Sequence, residues 1–249
     1  METAMMNYFR FLSFLFSLML LNPALAEATS KPLALVWDGP GACLGCIYGA
    51  ARVAVKAGFK VKFVNTSLKD FSVFNDAKLW IQPGGKSTTA ADAMGPAILH
   101  QVTEFVANGG GYVGFCAGGF ISTGKIGEGD TNGYGIVPGD TELLIKEGND
   151  HAMLKVSTPK YGDRYMYYAG GPFFKITEEQ LAAVQGEVIA RYPDGSIAGV
   201  HAHYGKGKVA VVGFHPEAGF FWKIEHLQPD PDGSDVFFAV DMVKYATSP

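Results

Sequence analysis

Apolar positions fall into short runs that alternate with longer periodic stretches. Leu33-Ala-Leu-Val-Trp37 and Tyr112-Val-Gly-Phe115 are unbroken, the pattern of strands buried on both faces. Lys60-Val-Lys-Phe-Val64 alternates as a strand, and Leu79-Trp-Ile-Gln82 gives another that ends in Pro83-Gly84-Gly85. Between them, Leu44 to Ala57 reads as a helix closed by Gly58. Pro96 to Asn108 reads as a second helix, with proline in its first turn and Gly109-Gly110-Gly111 as its stop. Another helical stretch follows Cys116-Ala-Gly-Gly119. Strands alternating with helices over short loops predict an α/β fold, a parallel sheet covered on both faces.

The pattern then becomes strand-rich. Glu142-Leu-Leu-Ile-Lys146 lies in a glycine-rich stretch from Gly124 to Gly148, and Arg164-Tyr-Met-Tyr-Tyr168 and Glu187-Val-Ile-Ala-Arg191 follow. Asp194-Gly195 marks a hairpin turn, and Ser196 to His203 answers Lys208 to Phe214 across Tyr204-Gly-Lys-Gly207. A last helix covers about Asp235 to Tyr245. No repeat and no linker-like break interrupts residues 27–249, which read as one domain.

The first apolar run, Phe11 to Leu21, is of a different kind. Arg10 precedes it and Asn22-Pro23 follows. It falls short of the ~18–20 residues that span a bilayer. Ala24-Leu25-Ala26 places small residues where a signal peptidase reads them. The expectation is a signal peptide over residues 1–26 and an exported product, periplasmic or secreted, with no stable membrane span after processing. An uncleaved N-terminal anchor is the alternative.

Composition narrows the classes further. Of 249 residues, 48% are hydrophobic and 18% charged, with net charge −4, which excludes a disordered chain and offers no basic surface for nucleic acid. Three cysteines, Cys43, Cys46 and Cys116, are too few for a disulfide scaffold, and their odd number leaves at least one unpaired within the chain.

Candidate chemistry centres on Gly114-Phe-Cys116-Ala-Gly-Gly119. A cysteine on a sharp turn between a buried strand and a helix is presented outward, and the helix N-terminus favours its thiolate. The Ala117 N–H would face the same space as an oxyanion donor. His215-Pro-Glu217 ends another apolar run, and positions two apart on an extended segment face the same way. Glu217 can then orient His215 as a base toward Cys116. The Gln82-Pro-Gly84-Gly85 loop lies beyond a strand's carboxyl end, where ligands of open α/β sheets bind, and offers a second oxyanion donor. Each of these has a plainer reading: a small buried residue, a solvated histidine, an ordinary turn.

Together these motifs, with Tyr204-Gly-Lys-Gly-Lys208, resemble the class I glutamine amidotransferase superfamily. More narrowly, the chain is similar to the biotin–protein ligase N-terminal-domain family, including its exported stand-alone members. Gly39-Pro-Gly-Ala-Cys43-Leu-Gly-Cys46 and Tyr168-Ala-Gly170-Gly171-Pro172 match that family's Gly-Pro-x-x-Cys-x-x-Cys and Tyr-x-Gly-Gly-Pro stretches. The resemblance implies a flavodoxin-like three-layer sandwich, mostly parallel with β-hairpin additions. It also implies a triad of Cys116 as nucleophile, His215 as base and Glu217 as orienter. Glutamine-hydrolysing members carry Gln four residues after the nucleophile, where this chain has Phe120, and this counts against glutaminase chemistry.

Cys43 and Cys46 open the first helix. A disulfide between them is expected, leaving Cys116 free, while a redox relay to Cys116, two buried thiols or a three-cysteine zinc site are the alternatives. His201 and His203 share a strand face, where solvation is commoner than metal binding. Gln82, Gly118, Tyr168, Gly170 and Gly171 are expected around the pocket. None of these motifs calls for a cofactor or a metal. The function expected is a cysteine hydrolase acting on a small amide or peptide. The rivals are a ligand-binding protein of the same fold and a thiol redox protein using Cys43, Cys46 and Cys116.

Overall fold

A computed structural model describes residues 31–145, 151–219, 222 and 229–249. The expected signal peptide and residues 146–148 lie outside the described residues. In chain order the elements are β1 (Leu33–Trp37), α1 (Leu44–Lys56), β2 (Lys60–Val64), α2 (Val73–Asp76), β3 (Ala77–Gln82), α3 (Ser87–Ala107), β4 (Gly111–Phe115), α4 (Ala117–Ser122), β5 (Asp140–Leu143), β6 (His151–Thr158), β7 (Gly162–Ala169), β8 (Pro172–Lys175), α5 (Glu178–Ala183), β9 (Glu187–Arg191), β10 (Ile197–Tyr204), β11 (Gly207–Val212) and α6 (Val236–Ala246).

The strands form one mixed sheet. Its core, β2-β1-β3-β4-β11, is parallel. It continues antiparallel through β10-β9-β6-β7, with β8 beside β10 and β5 beside β8. The pleat divides the strand residues between two cores. Leu33, Leu35 and Trp37 pack with Ala90, Met94, Ile98 and Val102 of α3. Ala34 and Val36 pack on the other face with Ala50 and Val53 of α1 and Phe238, Met242 and Val243 of α6. Burying each large apolar side chain contributes about 1.5–3 kcal/mol. This is the α/β architecture that the apolar pattern predicts: a parallel core between helices, extended by hairpins.

Two differences have local causes. The helix expected from Pro96 is the second segment of α3, and a first segment from Ser87, separated from it by Gly95 at φ 59°, went unread. A Gly-Pro pair marks a helix boundary in sequence, so only the second segment is legible. The short α5 went unread although its start carries a capping box, in which the Thr177 hydroxyl accepts from the Gln180 N–H and the Gln180 amide accepts from the Thr177 N–H.

The register of the parallel core decides what lies together at its carboxyl edge. Phe115 of β4 sits opposite Val212 of β11, and Gly114 sits opposite Gln82 of β3. The residues that follow these three strands therefore leave the sheet side by side.

Candidate active site

Cys116 is the single residue between β4 and α4, and its φ of 50° is rare for a residue with a side chain. Such backbone costs about 1–3 kcal/mol and persists only where its surroundings fix it. Here they do. The Cys116 N–H donates to Val212 O at 2.9 Å, extending the β4–β11 ladder by one bond. The Tyr112 hydroxyl donates to Gly118 O at 2.8 Å. A Cβ at Gly118 would stand 2.3 Å from Gln82 O, so only glycine lets α4 press this closely on β3. Cys116 is a free thiol, buried, and directs its Sγ to the Ala169 carbonyl at the end of β7, 3.5 Å away.

His215 stands three residues beyond Val212, so the β4–β11 pairing brings it out beside Cys116. Its Nδ1 is 2.9 Å from Glu217 Oε1, and both side chains are buried. The His215 N–H donates to Tyr167 O at 2.7 Å, and Arg52 of α1 donates to the Glu217 carbonyl at 2.7 Å. Burial pulls the imidazole pKa down. The charges and hydrogen bonds of Cys116 and Glu217 outweigh it and push the value up to about 10. The ring is therefore an imidazolium at neutral pH, held by Glu217 on one nitrogen, with the other left to Cys116.

The glycine loop after β3 closes a third side. A Cβ at Gly84 would lie 2.4 Å from His215 Cε1 and 3.0 Å from Cys46 Sγ, so bare backbone is what fits there. The Cys43 N–H donates to Gly84 O at 3.1 Å and the Lys86 N–H to Gly41 O at 2.7 Å, which ties the loop before α1 to this one. The N–H groups of Gly84, Gly85 and Ala117 make no backbone hydrogen bond among the described residues. Cys43 and Cys46 are joined by a disulfide.

The residues expected around a pocket occupy two different kinds of place. Gln82 is buried, and its Oε1 accepts from the Trp80 indole at 3.3 Å and the Tyr134 hydroxyl at 2.9 Å. The Tyr168 hydroxyl donates to Gly171 O at 3.0 Å and accepts from the Ile145 N–H at 3.2 Å, so it pins the turn that carries Ala169, Gly170 and Gly171. That turn supplies the Ala169 carbonyl to the thiol. Sequence reasoning missed Trp222, whose ring meets His215 edge to face at 4.8 Å. No spacing in the sequence points to Trp222. Tyr167 belongs to the run Tyr161, Tyr165, Tyr167 and Tyr168, which the sequence offers as pocket lining or strand packing, and its ring is 6.0 Å from His215. His201 stacks on Tyr245 at 3.6 Å and bonds Glu187 at 2.9 Å. It lines a cavity of about 530 Å³ with Tyr161, Phe238, Asp241 and Met242, and no triad residue lines it.

Residues 33–148 match the family described as "Biotin-protein ligase, N terminal". The biotin–protein ligase of Schizosaccharomyces pombe (strain 972 / ATCC 24843) is 27% identical over 213 residues, covering 74% of this chain and 33% of the relative. The chain thus spans about a third of the length of the curated relative it matches. A solved glutamine amidotransferase superposes with a TM-score of 0.61 at 19% identity, over 84% of this chain and 98% of that one. PurLQS from Thermotoga maritima superposes with a TM-score of 0.60 at 20% identity, over 84% and 97%. These likenesses establish the fold, which is class I glutamine amidotransferase-like.

Proposed function

From a chain whose residues 33–148 are a biotin-protein ligase N-terminal family domain, on a class I glutamine amidotransferase-like fold, we propose an exported cysteine hydrolase that cleaves a small amide or peptide. The observation that carries this reading is the buried His215–Glu217 pair beside the free thiol of a strained Cys116. The Cys116 thiolate attacks the carbonyl carbon. The oxyanion that forms accepts hydrogen bonds from the Ala117 N–H and the Gly84–Gly85 loop. His215 passes its proton to the departing amine, then as a neutral base takes one from the water that cleaves the thioester. Glu217 touches no reacting atom; it holds the ring in one orientation and balances its charge. Phe120 stands partly buried against the hydrophobic core where a glutamine-hydrolysing member would offer an amide, which favours a substrate other than glutamine.

The test combines iodoacetamide labelling with a screen of amide and peptide substrates on the purified full chain. Cys116 is expected to label in the unreduced protein. Cys116→Ala and His215→Ala each lose activity by about 10²–10⁴-fold, and the double variant is no worse than either, because the pair acts as a unit. A Cys116 inert to iodoacetamide, with ligand binding that survives Cys116→Ala, would replace the hydrolase with a binding protein.

A further inference from the structure

The Cys43–Cys46 disulfide takes no part in that chemistry, yet its two sulfurs stand in very different surroundings. Cys43 is the N-cap of α1, a helix of 13 residues, and its Sγ accepts the Cys46 N–H at 3.0 Å. Cys43 is partly exposed and its neighbour Leu44 is 68% exposed, while Cys46 is only 1% exposed. An external thiolate therefore has a path to Cys43 and none to Cys46. Released as a thiolate, Cys43 would keep the N–H bond and the positive end of a helix whose first turn holds no acidic residue. Cys46 would face the His215 ring across the bare Cα of Gly84, where one added methyl would touch both. That ring is cationic at neutral pH. Each sulfur thus has a fixed positive partner in the reduced state, which makes a disulfide readier to accept electrons.

We infer that Cys43–Cys46 is a thiol–disulfide exchange site that takes two electrons from an external dithiol, with Cys43 as the sulfur attacked. One donor thiolate bonds to Cys43 Sγ, the Cys43–Cys46 bond breaks, and Cys46 leaves as a thiolate. The donor's second thiolate then attacks the donor sulfur of this mixed disulfide and releases Cys43. The donor ends as a disulfide, its two protons pass to water as its thiols ionise, and the two electrons end on Cys43 and Cys46 as thiolates. No bond to Cys116 and no hydrolytic step enters this chemistry.

The experiment equilibrates the folded full chain in graded mixtures of reduced and oxidised dithiothreitol, with acid quenching, iodoacetamide labelling and mass mapping. Both cysteines fall in the single tryptic peptide that ends at Arg52, the Lys31–Pro32 bond being resistant to trypsin, and Cys116 falls in a separate one. A reversible two-electron transition is expected while the near-UV circular dichroism stays native. Under brief alkylation of the reduced protein, Cys43 labels at least tenfold faster than Cys46. Cys46→Ala collects a mixed disulfide with oxidised glutathione at Cys43, and Cys43→Ala collects none at Cys46. A disulfide that survives excess dithiothreitol until the protein unfolds overturns the inference, as does faster labelling of Cys46.

Discussion

His215 is the residue on which the charge balance of the site turns. Burial alone would hold it neutral, and its electrostatic and hydrogen-bond interactions with Cys116 and Glu217 reverse that, to a value of about 10. A raised pKa in a base keeps the charged form to higher pH, so wild-type ring nitrogens should show no titration between pH 6 and 9 by ¹⁵N NMR. Glu217→Gln keeps the length of the side chain and removes one anion, so burial regains weight and the midpoint falls toward the usual value near ~6.5. A wild-type midpoint already near that value would show that neither Cys116 nor Glu217 acts on the ring as described. Glu217 Oε2 is also buried with no hydrogen-bond partner among the described residues, so the carboxylate spends its one close bond on His215. At this scale Cys116, His215 and Glu217 were legible because each lies in a short motif with glycine or proline beside it. Trp222 and the Ala169 carbonyl were not, since they reach the site only through the course of the chain in space.

Among the elements, the strand–turn–helix of β4, Cys116 and α4 is the one whose packing admits least change. Gly118→Ala would force a methyl against Gln82 O and push α4 away from β3. The expected cost is about 1–3 kcal/mol. Calorimetry should register it as a lowered Tm, by about 2–4 °C per kcal/mol for a domain of this size. Iodoacetamide should also lose its selectivity for Cys116, because the elbow that presents the thiol has moved. An unchanged Tm with unchanged labelling would mean that α4 has room to shift. The elbow was readable in advance, because glycines around a cysteine at a strand end have few other uses. Tyr168 was not: the sequence offers a phenol beside two glycines, and only the folded turn shows it bound to Gly171 O as a pin. The first segment of α3 went unread; Gly95-Pro96 marks a real break, and Ala90, Ala91 and Met94 before it pack into the core.

For the whole molecule, the expected export makes its own prediction. Expressed in a Gram-negative host, the protein recovered from the periplasm should begin at Glu27 by intact-mass and N-terminal analysis; a product that keeps Phe11–Leu21 would instead be the anchored form. Among the described residues, no helix is long and apolar enough to cross a membrane. What the sequence by itself determined was the list of parts: buried strands, the helices that follow them, a cysteine elbow and a His-Pro-Glu strand end. Those are local properties, written in apolar periodicity and in the few residues that tolerate tight turns. Strand order is not local. That β11 pairs with β4, nearly a hundred residues earlier, and in the register Phe115–Val212, is fixed by burial on both faces of the sheet. The same burial sets β3 on the far side of β4 and so lays Gly84 against His215 and Cys46. The tertiary structure alone decided that thiol, imidazole, carboxylate and disulfide meet at one edge, because only packing a whole sheet chooses which strand ends are neighbours.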